Sequence, residues 1–187
     1  MRRLIPLFAF LTSFAAGAWV TLDRIPAVIM GKTMDRIAGS GGSPGSVRHA
    51  PRLREDNQTV VRASPDILYS ICVYDVSKEP LLIEAPWPAD GHYASVSFYD
   101  SRTNNFAVMS DRDAEGADSS RILLQHSYAD AATPITPVAY DVESDRLELA
   151  PTATGLVLYR RVIDAETNLE AAHAERQGFS CAPLSDQ

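Results

Sequence analysis

The sequence predicts a mainly β domain, an antiparallel sandwich of jelly-roll type, between an N-terminal transmembrane helix and a C-terminal helix. Three observations predict it. An uncharged run fills residues 4–22 (LIPLFAFLTSFAAGAWVTL) behind Arg2 and Arg3. From Val60 onward, seven or eight short segments of β character alternate with turn signals. Residues 164–177 then turn rich in Ala, Glu and Leu and stop at Gly178. Short strands punctuated by turns are the pattern of layered all-β domains.

The N-terminal run of 19 residues reaches about 28 Å as a helix, close to a hydrocarbon core. Arg2 and Arg3 favour an inside N-terminus, and Trp19 suits a membrane interface. The expectation is a single-pass bacterial inner-membrane protein with its C-terminal domain in the periplasm. A cleaved signal peptide ending at Ala16-Gly17-Ala18 is the alternative, with a periplasmic product. Residues 24–38 place Ile25, Val28, Ile29 and Ile37 on one helical face, with Pro26 in a first turn, as in a short amphipathic helix. Residues 39–45 (GSGGSPG) break it. The division is then residues 1–23 as anchor or signal, 24–58 as juxtamembrane helix and linker, and 59–187 as the β-rich domain.

Within that domain, residues 67–76 (ILYSICVYDV) are apolar on both faces, the mark of a central strand. Residues 81–85, 92–99, 105–109, 121–125, 138–140 and 147–149 are shorter strands. Residues 111–120 form a charged loop. Residues 155–163 (GLVLYRRVI) make a long late strand with Arg160 and Arg161 on opposite faces; either one of them is buried against a carboxylate such as Asp66 or Asp100, or both are exposed on an edge strand. Asp164 is read as the N-cap of the last helix.

Charge divides the chain. Residues 24–62 hold seven basic and three acidic residues, whereas residues 63–187 hold eight basic and twenty acidic ones. An acidic domain argues against nucleic acid as a partner, while the basic stretch suits an anionic membrane surface or a solvated linker. The four histidines lie on separate elements with no ligand spacing, so neither a metal nor another cofactor is expected. No serine has a nucleophile-elbow context. The two cysteines, Cys72 and Cys181, form one disulfide in an oxidising compartment; two buried free thiols are the other reading of the same count.

Three stretches carry a resemblance: VRASPDILYSICVYD at 61–75, HYASVSFYDSRTNNF at 92–106 and GLVLYRRVID at 155–164. Together they resemble the domain of unknown function 1254 family, a β-rich bacterial domain. The matching positions are Asp66, Leu68-Tyr69-Ser70, Tyr93, Ser95, Asp100, Thr103-Asn104 and Phe106. The family's common Asn-Arg-Asp is Ser64-Pro65-Asp66 here. Longer relatives carry a second, 1214-type domain; the resemblance implies a short, membrane-anchored form whose second domain is a separate protein.

Asp66, Tyr69, Tyr93, Asp100, Arg102 and Asn104 are the candidate ligand or motif cluster. Carboxylate, phenol and guanidinium groups converging in a cleft bind polar ligands or transfer protons. The same residue types also cap turns and tie strand ends to loops. If the strands at 67–76 and 92–99 are antiparallel neighbours, Asp66, Tyr69, Asp100 and Asn104 meet at one sheet end. The expected function is an envelope-facing binding or interaction module. The alternatives are a hydrolase or ligand binder acting on an envelope glycan or lipid head group, and a subunit working with a separate 1214-type domain protein.

Overall fold

A computed structural model describes residues 4–39, 45–54, 56, 63–127 and 146–184. The elements are α1 (Leu4–Ala38), β1 (Val47–His49), β2 (Ile67–Asp75), β3 (Leu81–Pro86), β4 (Ala94–Asp100), β5 (Asn105–Ser110), a 3-10 turn at Asp111–Asp113, β6 (Ser119–His126), β7 (Arg146–Ala150), β8 (Thr154–Val162), α2 (Leu169–Arg176) and β9 (Ser180–Pro183). They build two sheets, ordered β1-β2-β8-β4-β5 and β7-β6-β3-β9. Every pairing is antiparallel except β6 with β7, which is parallel, so the second sheet is mixed. The strand expected at 138–140 lies outside the described residues.

Strand β2 is central, as its two apolar faces require: it pairs with β1 on one side and β8 on the other. Period-two alternation then sorts the residues. Cys72, Tyr74, Val96, Phe98, Val157 and Tyr159 from the first sheet share one buried cluster with Leu81, Ile83, Ala85, Ile122, Leu124 and Cys181 from the second. Gly155 is required where β8 passes β2 and β4, because a Cβ there would overlap the Tyr99 carbonyl oxygen and the Tyr74 hydroxyl.

The two cysteines are bonded. Cys72 of β2 and Cys181 of β9 have Cα atoms 6.4 Å apart and join the two sheets across the core. Strand β9, absent from the sequence reading, is the edge of the second sheet, with Cys181 opposite Ile83 of β3. Strand β1 falls inside the stretch assigned to a linker, so the sheet begins before residue 59. Backbone pairing to β2 compensates for the polar character of Arg48 and His49.

The N-terminal half departs from expectation. Residues 4–38 form one continuous helix with Pro26 inside it, not an anchor followed by a second helix. Among the described residues, no helix is long and apolar enough to cross a membrane. The expectation of a single-pass inner-membrane protein with a periplasmic domain is therefore overturned. Asp23 and Arg24 interrupt the apolar character halfway along the helix. The small-residue site ending at Ala18 lies within this helix, with no break there. The packed face also differs. Met30 and Ile37, with Met34 between them, pack on Ile71, Val73, Tyr99 and Leu156, while Ile25, Val28 and Ile29 stay exposed. Positions 30, 34 and 37 share one helical face, and that face is the one laid on the sheet.

Helix α2 begins later than expected. Asn168 caps it by accepting from the Glu170 and Ala171 amides. Asp164 instead accepts from the Glu166 and Thr167 amides, closing the preceding turn.

The disulfide closes a separation of 109 residues, which on the chain-entropy model stabilises by up to ~4–5 kcal/mol. Equilibrium urea unfolding of the oxidised protein against Cys72→Ser/Cys181→Ser should show most of that loss as a lower midpoint. An unchanged midpoint would show that the covalent link adds nothing to the packed sheets.

Candidate functional site

The long strand β8 organises the polar residues, and it separates the expected cluster. Both β2 and β4 run antiparallel to β8 from opposite sides; they are therefore parallel to each other and not neighbours. At one end, the Ile163 amide donates to the Asp66 carbonyl and the Val162 amide to the Tyr93 carbonyl. At the other, Asp100 lies opposite Gly155. Eight residues of strand put roughly 26 Å between these ends. Asp66, Tyr69 and Tyr93 thus share one end, while Asp100, Arg102 and Asn104 sit at the other.

Each group has a local structural task. The Ser64 amide donates to the Tyr69 hydroxyl, and the Asp66 amide donates to the Ser64 hydroxyl. Tyr93 lies with its ring 5.8 Å from the Arg112 guanidinium. Buried Asp100 accepts from the Arg102 and Asn104 amides at 2.8 Å each and from the Asn104 side-chain amide at 2.9 Å. These bonds hold the β4–β5 turn, in which Thr103 takes φ 69°, a conformation a β-branched residue adopts only when its surroundings impose it. The Arg102 side chain reaches Asp23 of α1 at 2.6 Å, tying helix to turn.

A different polar cluster occupies the Asp66 end. Asp90, His92, Arg161, Asp164 and Glu175 line an open cleft of about 410 Å³. Arg161 is 2% exposed and faces inward on β8. Its Nη2 donates to Asp90 at 2.6 Å, Nε to Glu175 at 2.8 Å and Nη1 to the Val162 carbonyl at 3.0 Å. The expectation of one buried arginine held by a carboxylate is thereby met, but by Asp90 and Glu175, not by Asp66 or Asp100. The clue available in the sequence was an arginine on the inward face of an apolar strand, which requires partners. The partners come from a turn at 89–91 and from a helix, and no local pattern names them.

His92 sits between two carboxylates, with Nε2 2.9 Å from Asp164 and Nδ1 3.2 Å from Asp90. Nε2 makes a hydrogen bond to Asp164, whereas Nδ1 stands beside Asp90 as a charge contact without one. The hydrogen bond to Asp164, supported by Asp90, raises the imidazole above its ordinary value. The same bond, with the Thr167 hydroxyl, holds Asp164 down at about 2. Burial is the largest single effect on Asp90 and would raise it, but the Arg161 hydrogen bond and charge, together with the His92 backbone amide and ring, leave the carboxyl below its usual range. A histidine held as a cation is a poor general base. The cluster is thus a set of ion pairs beside an open cleft, with His92 Nδ1 left without a hydrogen bond. Among the described residues, no group of three or more His, Cys, Asp or Glu side chains is placed to hold a metal ion.

Fold and site define the class: a two-sheet β domain with a helix on one sheet face and an ion-paired polar cleft at one sheet end. The chain belongs to the DUF1254 family, a family of unknown function, whose pattern matches residues 44–183. Among solved structures it is similar to the VPA0106 protein of Vibrio parahaemolyticus, at 15% identity and a TM-score of 0.58 over 86% of this chain. It is also similar to an uncharacterized protein from Burkholderia cenocepacia, at 14% identity and a TM-score of 0.45 over 74% of this chain. The matched part is 37% of the Vibrio chain and 36% of the Burkholderia chain. A comparison with curated proteins finds no match.

Two tests follow from this geometry. Asp100→Ala leaves three donors without their acceptor and should cost about 1–3 kcal/mol, read as a lower urea midpoint; an unchanged midpoint would remove the carboxylate from its role in the turn. For His92 the folded value lies above the unfolded one, so its stabilisation is complete below about pH 6.5 and disappears as pH rises through the folded value. Melting temperature measured across pH 5.5–9 should fall more steeply on the alkaline side for the wild type than for His92→Gln. Parallel curves would mean that the clamp does not contribute to folding.

Proposed function

We propose that this chain is a binding module that docks a partner protein through α1, with a 1214-type domain protein as the partner. The observation that carries the reading is the exposed apolar surface of the helix. Phe8, Phe10, Phe14, Trp19 and Leu22 are each more than 60% exposed, and they lie ahead of the segment that packs on the sheet. A concentration of large exposed apolar side chains is the signature of an interaction surface. The choice of partner rests on the family resemblance, in which longer relatives carry a second, 1214-type domain. In this reading the two sheets are the layers of a β-sandwich that serves as a rigid platform for the helix. A hydrolase with an Asp/Tyr/Arg centre has less support, because the candidate residues are divided between the two ends of β8.

The test is coelution on size exclusion of the purified chain with a purified 1214-type domain protein. The wild type should form a stoichiometric complex. A Phe10→Ser/Phe14→Ser/Trp19→Ser variant, altered only at exposed positions, should lose it while keeping its melting temperature. No complex, or equal capture by the variant, would overturn the reading.

A further inference from the structure

We propose that the groove between α1 and the outer face of the five-stranded sheet binds a monocarboxylate with a short apolar tail, its head group held by Arg160. This inference is independent of the partner reading, which rests on the other half of α1.

The outward residues of β8 form a row: Leu156, Leu158, Arg160. Pairing places Leu158 between Ile71 of β2 and Ser97 of β4, and Arg160 between Tyr69 and Ser95. The sheet's outer face thus changes from apolar to polar over one pleat, roughly 7 Å. Its apolar part forms a groove of about 220 Å³ with Ile71, Leu156 and Leu158 on the sheet side and Ile29, Met30 and Thr33 on the helix side. This is smaller than a drug-sized pocket, and its walls suit a single aliphatic tail.

The polar end has unused hydrogen-bonding capacity. Arg160 Nη2 donates to Ser97 Oγ at 3.1 Å. Because Ser97 is the cross-strand partner of Leu158, the guanidinium is turned along the strand toward the groove. Arg160 Nε is buried without a hydrogen-bond partner, and so is Oγ of Ser95, which is wholly inaccessible. The adjacent Arg161 is saturated by two carboxylates, whereas among the described residues no carboxylate pairs with Arg160. A guanidinium is matched by a carboxylate, which here would meet the Nη groups, since Nε is buried. One cation beside an apolar trough selects one negative charge on an aliphatic tail.

The experiment titrates octanoate into the full chain, observing the Met30 and Met34 methyl resonances, with acetate and octanol as the head-only and tail-only arms. Octanoate should bind saturably and move Met30, acetate should not, and octanol should bind at least about tenfold more weakly. Arg160→Gln should weaken octanoate by a similar factor. Ile29→Trp, at an exposed helix position, should block the groove without disturbing the sheet. It provides the decisive variant if Arg160→Gln does not fold. Phe10→Ser/Phe14→Ser should leave octanoate binding intact. Absence of saturation, equal affinity for octanol, unchanged binding in folded Arg160→Gln or in Ile29→Trp, or loss of binding in Phe10→Ser/Phe14→Ser would overturn the proposal. Octanoate binding and partner capture are separate readouts, so either reading can fail alone.

Discussion

Burying the Arg161 guanidinium on the inward face of β8 imposes a requirement that shapes one whole end of the molecule. An unpaired buried cation costs several kcal/mol, and the cost is recovered only when carboxylates and carbonyls meet its donors with good geometry. Asp90 brings the turn before β4 to the strand, and Glu175 brings α2. Once α2 is held, Leu169 and Ala172 cover Leu68 and Ile163, and Phe179 stacks on Tyr159 with centroids 5.2 Å apart. His92 then bridges Asp90 to Asp164 and connects the same turn to the segment leading into α2.

The second buried arginine shows the alternative solution. Arg176, at the end of α2, is 6% exposed and donates to the carbonyls of Ala50 and Tyr69. Burial lowers its affinity for a proton, and its charge, after the larger effect of burial, helps keep His49 neutral. It connects α2 to the edge of the first sheet through backbone groups. One helix thereby closes the domain end through two arginines, one on a strand reaching the helix and one on the helix reaching a strand. The two helices play different parts. Helix α2 is integrated into the fold by charge, whereas α1 lies on the outer sheet face through apolar contacts and the exposed Arg102–Asp23 pair, which contributes little. The half of α1 beyond that pair leaves its apolar residues facing outward.

Much of the domain was legible locally. Strands β2 to β6, β7 and β8 fall within one or two residues of the alternating segments, because side-chain period two is a property of the chain itself. The adjacent arginines on opposite faces followed from the same rule. The short edge strands β1 and β9 were not legible, since three or four residues carry no periodicity and their pairing is decided by an exposed neighbouring edge. The helical boundary at residue 24 was misplaced because a charge pair and a proline resemble a helix start, while continuous backbone bonding carries the helix through them.

The grouping of polar residues could not be read from the sequence. Asp66 and Asp100 each precede or follow a strand, and proximity would follow only if β2 and β4 were antiparallel neighbours. Insertion of β8 between them, from some sixty residues downstream of β4, makes them parallel and places the two motifs at opposite ends. The sequence by itself determined the β character, the alternation of each strand, the disulfide partners by parity and the placing of Arg160 and Arg161 on opposite faces. Tertiary structure alone decided which strands adjoin, which carboxylates meet Arg161, and which face of α1 is covered. Those outcomes depend on pairings between distant segments, and strand order is not encoded in any one of them.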